Sequence, residues 1–113
     1  MKKAVPVLGD LAFPDSVGGD GDLPYEEHVR QAQKEYPNKA GRFEIHHKTP
    51  RYLGGAPDGP TVSIDAAYHQ VITNHFRRLW PYRGDPGYKG RLPNQEELRE
   101  IMEKVYSIHP LPK

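Results

Sequence analysis

The sequence predicts a small α+β domain: a short β-hairpin running straight into a helix, with a further helix on either side. Three observations carry this prediction. Arg42 to His47 alternates polar and apolar residues, with Phe43 and Ile45 on one face, and is broken by Thr49-Pro50, as a short strand would be. Thr61-Val62-Ser63-Ile64 is β-branched at Thr61, Val62 and Ile64 and leads into Asp65, a suitable N-cap for a helix from Ala66 to about Trp80. Leu98, Ile101, Met102 and Val105 recur at helical spacing behind Asn94, with Glu97 placed to complete a capping box.

The remaining elements follow in chain order. Residues 1–22 are rich in Gly, Pro and Asp without sustained periodicity and read as a linker or loosely packed arm; residues 23–113 form the single domain. Leu23 to Tyr36 is helix-like, with Asp22 as N-cap, Pro24, Glu26 and Glu27 in the first turn, and a thin apolar face of Tyr25, Val29, Ala32 and Tyr36. Pro37-Asn38 ends it. Tyr52 to Pro60 is loop and turn. In the helix after Asp65, Ala67, Val71, Phe76 and Leu79 face inward, Arg77 and Arg78 complement the C-terminal dipole, and Pro81 is the stop. Residues 81–93 are a second Gly/Pro loop. The last helix, with Glu96, Glu97, Glu100 and Glu103 outward, is expected to be scaffold with no direct part in chemistry. Tyr52, Tyr68, Trp80 and Tyr82 are expected to pack in the core and its rim rather than to stack on bases.

Composition narrows the function. A chain of 113 residues builds one domain with a modest core. The absence of cysteine excludes disulfides and cysteine-built zinc knuckles, so a metal would need histidine, carboxylate, amide or backbone oxygen. No apolar run approaches the roughly 20 residues that span a bilayer. The start, Met1-Lys2-Lys3, precedes an apolar stretch too short and too broken by Pro6 for a signal peptide, so export would need another carrier or a longer parent chain. Net charge is only +1, but between residues 42 and 91 Arg42, Lys48, Arg51, Arg77, Arg78, Arg83, Lys89 and Arg91 face only Glu44, Asp58, Asp65 and Asp85. The positive excess coincides with a histidine cluster, as a phosphate footprint would.

That cluster is the strongest functional signal. His46 and His47 end the first strand, and His69 falls in the first turn of the helix, 22 residues after His47. Strand end, loop and helix start bring the three imidazoles within reach of one divalent metal. Adjacent side chains diverge on an extended backbone, so one histidine can face the metal while the other faces a scissile phosphate. Phosphodiester hydrolysis needs an activated water, which a neutral imidazole supplies as general base, and charge stabilisation, which a Lewis acid supplies. Asp65 and Thr73 share the helix face of His69, whereas His75 lies near the far side.

Phe-Glu-Ile-His-His-Lys-Thr-Pro, the Leu-Gly-Gly and Asp-Gly-Pro turns and the helix carrying His69 together resemble the HNH, or His-Me finger, nucleases, and among them the nuclease domains that end bacterial polymorphic toxins. The resemblance covers Phe43 to Arg78. It implies a ββα-metal finger in which His46 and His69 hold one divalent ion (Mg, Mn, Ni or Zn) and His47 is the general base. Further candidate ligands are Asp65, Asn74 and His75. Arg51 is a candidate catalytic residue at the phosphate, with Lys48, Arg77 and Arg78 contacting the nucleic-acid backbone. The family's middle asparagine, which orients the base, has no counterpart between His47 and His69, and its second helix ligand falls on Thr73. The resemblance further implies an endonuclease acting on DNA (or alternatively RNA) with little sequence preference. Such a domain is delivered into a target cell, acts in its cytoplasm and is neutralised by a cognate immunity protein. Three other readings stay open: a non-catalytic nucleic-acid-binding module with structural zinc, a metal-free protein-interaction domain, and a metal-independent RNase using His47 and a second histidine.

Overall fold

The computed structural model describes residues 23–112; the expected arm, residues 1–22, lies outside them, as does Asp22. Among the described residues the fold is α+β: three helices around a two-stranded antiparallel sheet. Helix α1 spans Tyr25–Glu35 and starts on the backbone of Pro24, whose carbonyl accepts from the amides of Glu27 and His28. Ala32 is buried, and Tyr25, Val29 and Tyr36 pack against the core as expected.

Strand β1 (Phe43–His47) pairs antiparallel with β2 (Thr61–Asp65), with His46 opposite Val62 and His47 opposite Thr61. Directly opposed residues share a face of the sheet, so Glu44, His46, Val62 and Ile64 lie on one side and Phe43, Ile45, His47 and Ser63 on the other. The first side meets helix α2. Phe43 and Ile45 do share a face, but it is the solvent face: they are 71% and 61% exposed, while His46 is 3% exposed. The polar register of the strand, not its apolar one, points inward.

The connection between the strands is fixed by two glycines. A 3₁₀ turn, Arg51–Leu53, is closed by Gly54 at φ 104°, a conformation that favours glycine. A Cβ on Gly55 would lie 2.0 Å from the Thr49 carbonyl oxygen, so the chain approaches itself too closely there for any side chain.

Helix α2 (Ala66–Leu79) follows β2 with no loop. Asp65 is at once the last strand residue and the N-cap, accepting from the Ala67 amide at 2.8 Å. Helix α3 (Gln95–Ile108) begins at Asn94 with the expected capping box to Glu97, and Arg91 grips the Glu97 carboxylate with two nitrogens at 2.8 and 2.9 Å. The centre of the core is Leu53, Ile64, Tyr68, Ile72, Phe76 and Val105, all almost fully buried between the sheet, α2 and α3. Val71 and Leu79, expected inward, are partly buried; Ile72, one position on from Val71, takes the central place.

Candidate functional site

The end of β1 and the first turn of α2 are held side by side by the β2–α2 junction. That brings the rings of His46 and His69 to 5.1 Å between centroids at an interplanar angle of 70°. With metal–nitrogen bonds of about 2.0–2.1 Å and near-tetrahedral angles, two imidazoles on one metal have centroids about 5 Å apart, so the observed spacing fits a shared ion.

Each of the three histidines is fixed by one hydrogen bond, and each bond settles which ring nitrogen keeps a lone pair. His69 Nδ1 donates to Glu44 Oε1 at 2.7 Å, leaving Nε2 free. The Tyr106 hydroxyl donates to the Lys48 carbonyl at 2.5 Å, so its oxygen accepts from His46 Nε2 at 2.8 Å and leaves Nδ1 of His46 free. His47 Nε2 donates to the Pro57 carbonyl at 2.9 Å, leaving Nδ1 free. A carboxylate or carbonyl behind an imidazole fixes its tautomer and its ring orientation. Burial, followed by the neighbouring His69 and His47, lowers the His46 pKa to about 4, so this ring is neutral near pH 7 and can act as a donor to a metal.

Not all the expected residues meet. Two imidazoles converge rather than three: His47 lies on the other face of the sheet from His46 and turns toward Pro57. Among the described residues no group of three His, Cys, Asp or Glu side chains is arranged to hold a metal. Of the further ligand candidates, Asp65 is spent on structure. Its Oδ2 accepts from the Gly41 amide at 2.8 Å and from Gln33 Nε2 at 3.0 Å, and its Oδ1 caps α2. Burial pushes this carboxyl up, but the hydrogen bonds outweigh it and leave the pKa below the ordinary value. Asn74 donates to the Tyr36 hydroxyl and accepts from Gln70. His75, six residues after His69, faces away and packs edge-on against His109 at 5.1 Å. Among the described residues the donors at the site therefore reduce to His46 and His69, with Glu44 behind His69.

The cations are also redistributed. Arg77, expected at the nucleic-acid backbone, is paired with Asp85 at 2.6 and 2.7 Å and covers the Tyr82 ring at 4.4 Å, which ties its guanidinium to the 81–93 loop. Lys48, Arg51 and Arg78 are exposed.

Three contributors were missed. Glu44 was legible in principle, because two residues before His46 it shares that histidine's strand face. Tyr106 was not, since it lies 60 residues from His46; through it α3, expected as scaffold with no direct part in chemistry, holds a site histidine in place. The Pro57 carbonyl, which orients His47, is a backbone group in a loop and leaves no mark in the sequence. Comparison with known protein families, characterised proteins and solved structures finds no match for this chain.

Proposed function

We propose that the chain is a metal-dependent endonuclease of the ββα-metal type, hydrolysing DNA phosphodiesters with little sequence preference. The observation that carries this reading is the set of fixed tautomers. Nδ1 of His46 and Nε2 of His69 are free on rings spaced for one metal, and Nδ1 of His47 is free beside them in sequence with its Nε2 anchored on Pro57.

In this reading His46 and His69 hold one divalent ion (Mg, Mn, Ni or Zn), which when bound supplies charge stabilisation to the phosphate and the departing oxygen. Among the described residues these two donors leave the rest of the coordination sphere to water and phosphate oxygens, and an open position of that kind is what a catalytic metal needs. His47 takes the proton of the attacking water at Nδ1, and the Pro57 carbonyl supports the positive charge that develops on the ring. Glu44, hydrogen-bonded to His69 Nδ1, holds the tautomer that leaves Nε2 for the ion. Arg51, in the turn after β1, is placed in sequence to meet the phosphate, and Lys48 and Arg78 contact the backbone through charge alone. The resemblance adds a 5′-phosphate product and the context of a toxin domain delivered into a target cell and held in check by an immunity protein.

The test is supercoiled plasmid incubated with the protein and Mg²⁺, Mn²⁺, Ni²⁺ or Zn²⁺, or with chelator. Metal-dependent nicking is expected, with His47→Ala inactive but folded and still binding metal. Plasmid and RNA left intact under every condition would sink the proposal, and loss of metal binding in His47→Ala would sink the division of roles.

A further inference from the structure

The loop after α2 forms a feature that the histidine site does not use. A cleft of about 420 Å³ opens between the C-terminal end of α2 and residues 82–92, lined by Tyr52, Trp80, Tyr82, Arg83, Tyr88 and Arg91 among others. Its volume falls within the range of small-ligand sites, about 300–1,000 Å³. The walls are fixed. Tyr52 donates to the Trp80 carbonyl at 2.9 Å and meets Tyr82 edge-on at 4.6 Å, and Trp80 Nε1 donates to the Arg91 carbonyl at 3.1 Å. Asp85 accepts from the Tyr82 amide and from Arg77, which pins the near side of the loop.

Aromatic rings and cations alternate around this cleft. Lys89 Nζ and the Arg91 guanidinium lie over Trp80 at 5.2 and 5.1 Å, and the Arg83 guanidinium over Tyr88 at 5.9 Å. Arg77 and Arg91 are balanced by Asp85 and Glu97. Among the described residues neither Arg83 nor Lys89 has a carboxylate partner, so the net charge at the mouth is positive. Tyr88 is 40% exposed, which leaves part of its ring open to a ligand.

We infer that this cleft binds single-stranded nucleic acid, stacking an unpaired base against Tyr88 and holding the adjoining phosphates with Arg83 and Lys89. A rigid aromatic wall edged by unpaired cations suits a flat ring joined to an anion, and every base offers such a ring without regard to sequence. A duplex hides its base faces within the stack, so it can satisfy the cations but not the rings. Tyr52 follows Arg51 in the same 3₁₀ turn, which ties this cleft to the segment that leaves β1. The inference rests on the nuclease reading only for the claim that the bound strand is substrate.

Binding is measured on the full chain in chelator, where no metal-dependent cutting occurs. The probes are a labelled oligothymidylate of about ten nucleotides followed by anisotropy, the same length as duplex, and inorganic polyphosphate. Trp80, the only tryptophan, reports from the cleft wall. Saturable single-strand binding with a change in Trp80 emission is expected, weakened about tenfold or more by Tyr88→Ala and by Arg83→Ala/Lys89→Ala. Tyr88 is exposed enough for its replacement to leave the fold intact. Duplex or polyphosphate binding as tightly as the oligothymidylate, Tyr88→Ala binding like the parent, or no anisotropy change would overturn the inference. Oligonucleotide binding with plasmid never cut would remove the nuclease reading alone; plasmid cut by a protein that fails the binding test would remove this inference alone.

Discussion

The second group of histidines makes a quantitative prediction about acid. His75 and His109 meet edge-on at 5.1 Å behind α2, and ring atoms His28 Nε2 and His75 Nδ1 are buried without a hydrogen-bond partner. Burial, then the Arg78 charge, lowers the His75 pKa to about 4; burial, then His75, His28 and Arg78, lowers that of His109 to about 3. Both lie below the ordinary value of 6.5. Between the folded and unfolded values the unfolded chain binds more protons, so stability is complete above about pH 6.5 and falls as pH drops below it. At pH 5 the unfolded imidazoles are almost fully protonated and the folded ones almost not. Each group then costs about 2 kcal/mol relative to pH 8, a figure set mainly by the unfolded pKa. The pair together costs about 4 kcal/mol, a large part of the 5–15 kcal/mol typical of a domain. Urea denaturation followed by Trp80 fluorescence at pH 8 and pH 5 measures this loss. The variant His75→Gln/His109→Gln is expected to lose about 4 kcal/mol less than the parent over the same interval. An equal loss in parent and variant would refute the placement of these rings as buried neutral groups.

The other predictions concern the hydrogen bonds around the site. Glu44→Gln removes the charge behind His69 and is expected to weaken metal binding about 10–100-fold by calorimetry, with little change in melting temperature. Tyr106→Phe leaves the Lys48 carbonyl and His46 Nε2 without their partner and should cost about 1–3 kcal/mol in urea denaturation. Asp65→Ala removes the α2 cap and the anchors of Gly41 and Gln33 together. It should cost about 2–3 kcal/mol, more than an isolated cap, by the same measurement.

What could be read from the sequence divides by range. The strand ends, the Asp65 and Asn94 caps and the α3 stripe are local signals, and each appears where the local chemistry required. The meeting of His46 and His69 was legible because a hairpin joined directly to a helix leaves little freedom in where a first-turn side chain points. Which face of β1 is buried was not legible: Phe43 and Ile45 suggest one answer to a hydrophobicity argument, and the pairing with β2 gives the other. The Asp65 carboxylate illustrates a different limit. Its residue type suits both a cap and a ligand, and only the positions of Gly41 and Gln33 decide between them. The Tyr106 contact depends on how α3 lies across the sheet, which no spacing within α3 encodes.

The register of β1 has a consequence for fidelity. Because side chains alternate, sliding this strand by one residue would turn His46 to water and bring Phe43, Ile45 and His47 against α2. Apolar burial alone favours the slipped arrangement, since covering Phe43 and Ile45 is worth about 1.5–3 kcal/mol each. Polar contacts oppose it: His46 to Tyr106, Glu44 to His69, and Asp65 to Gly41. These contacts therefore act as a combination lock on the identity of the two imidazoles, and a chain that lost them would fold to similar secondary structure with His47 in the place of His46.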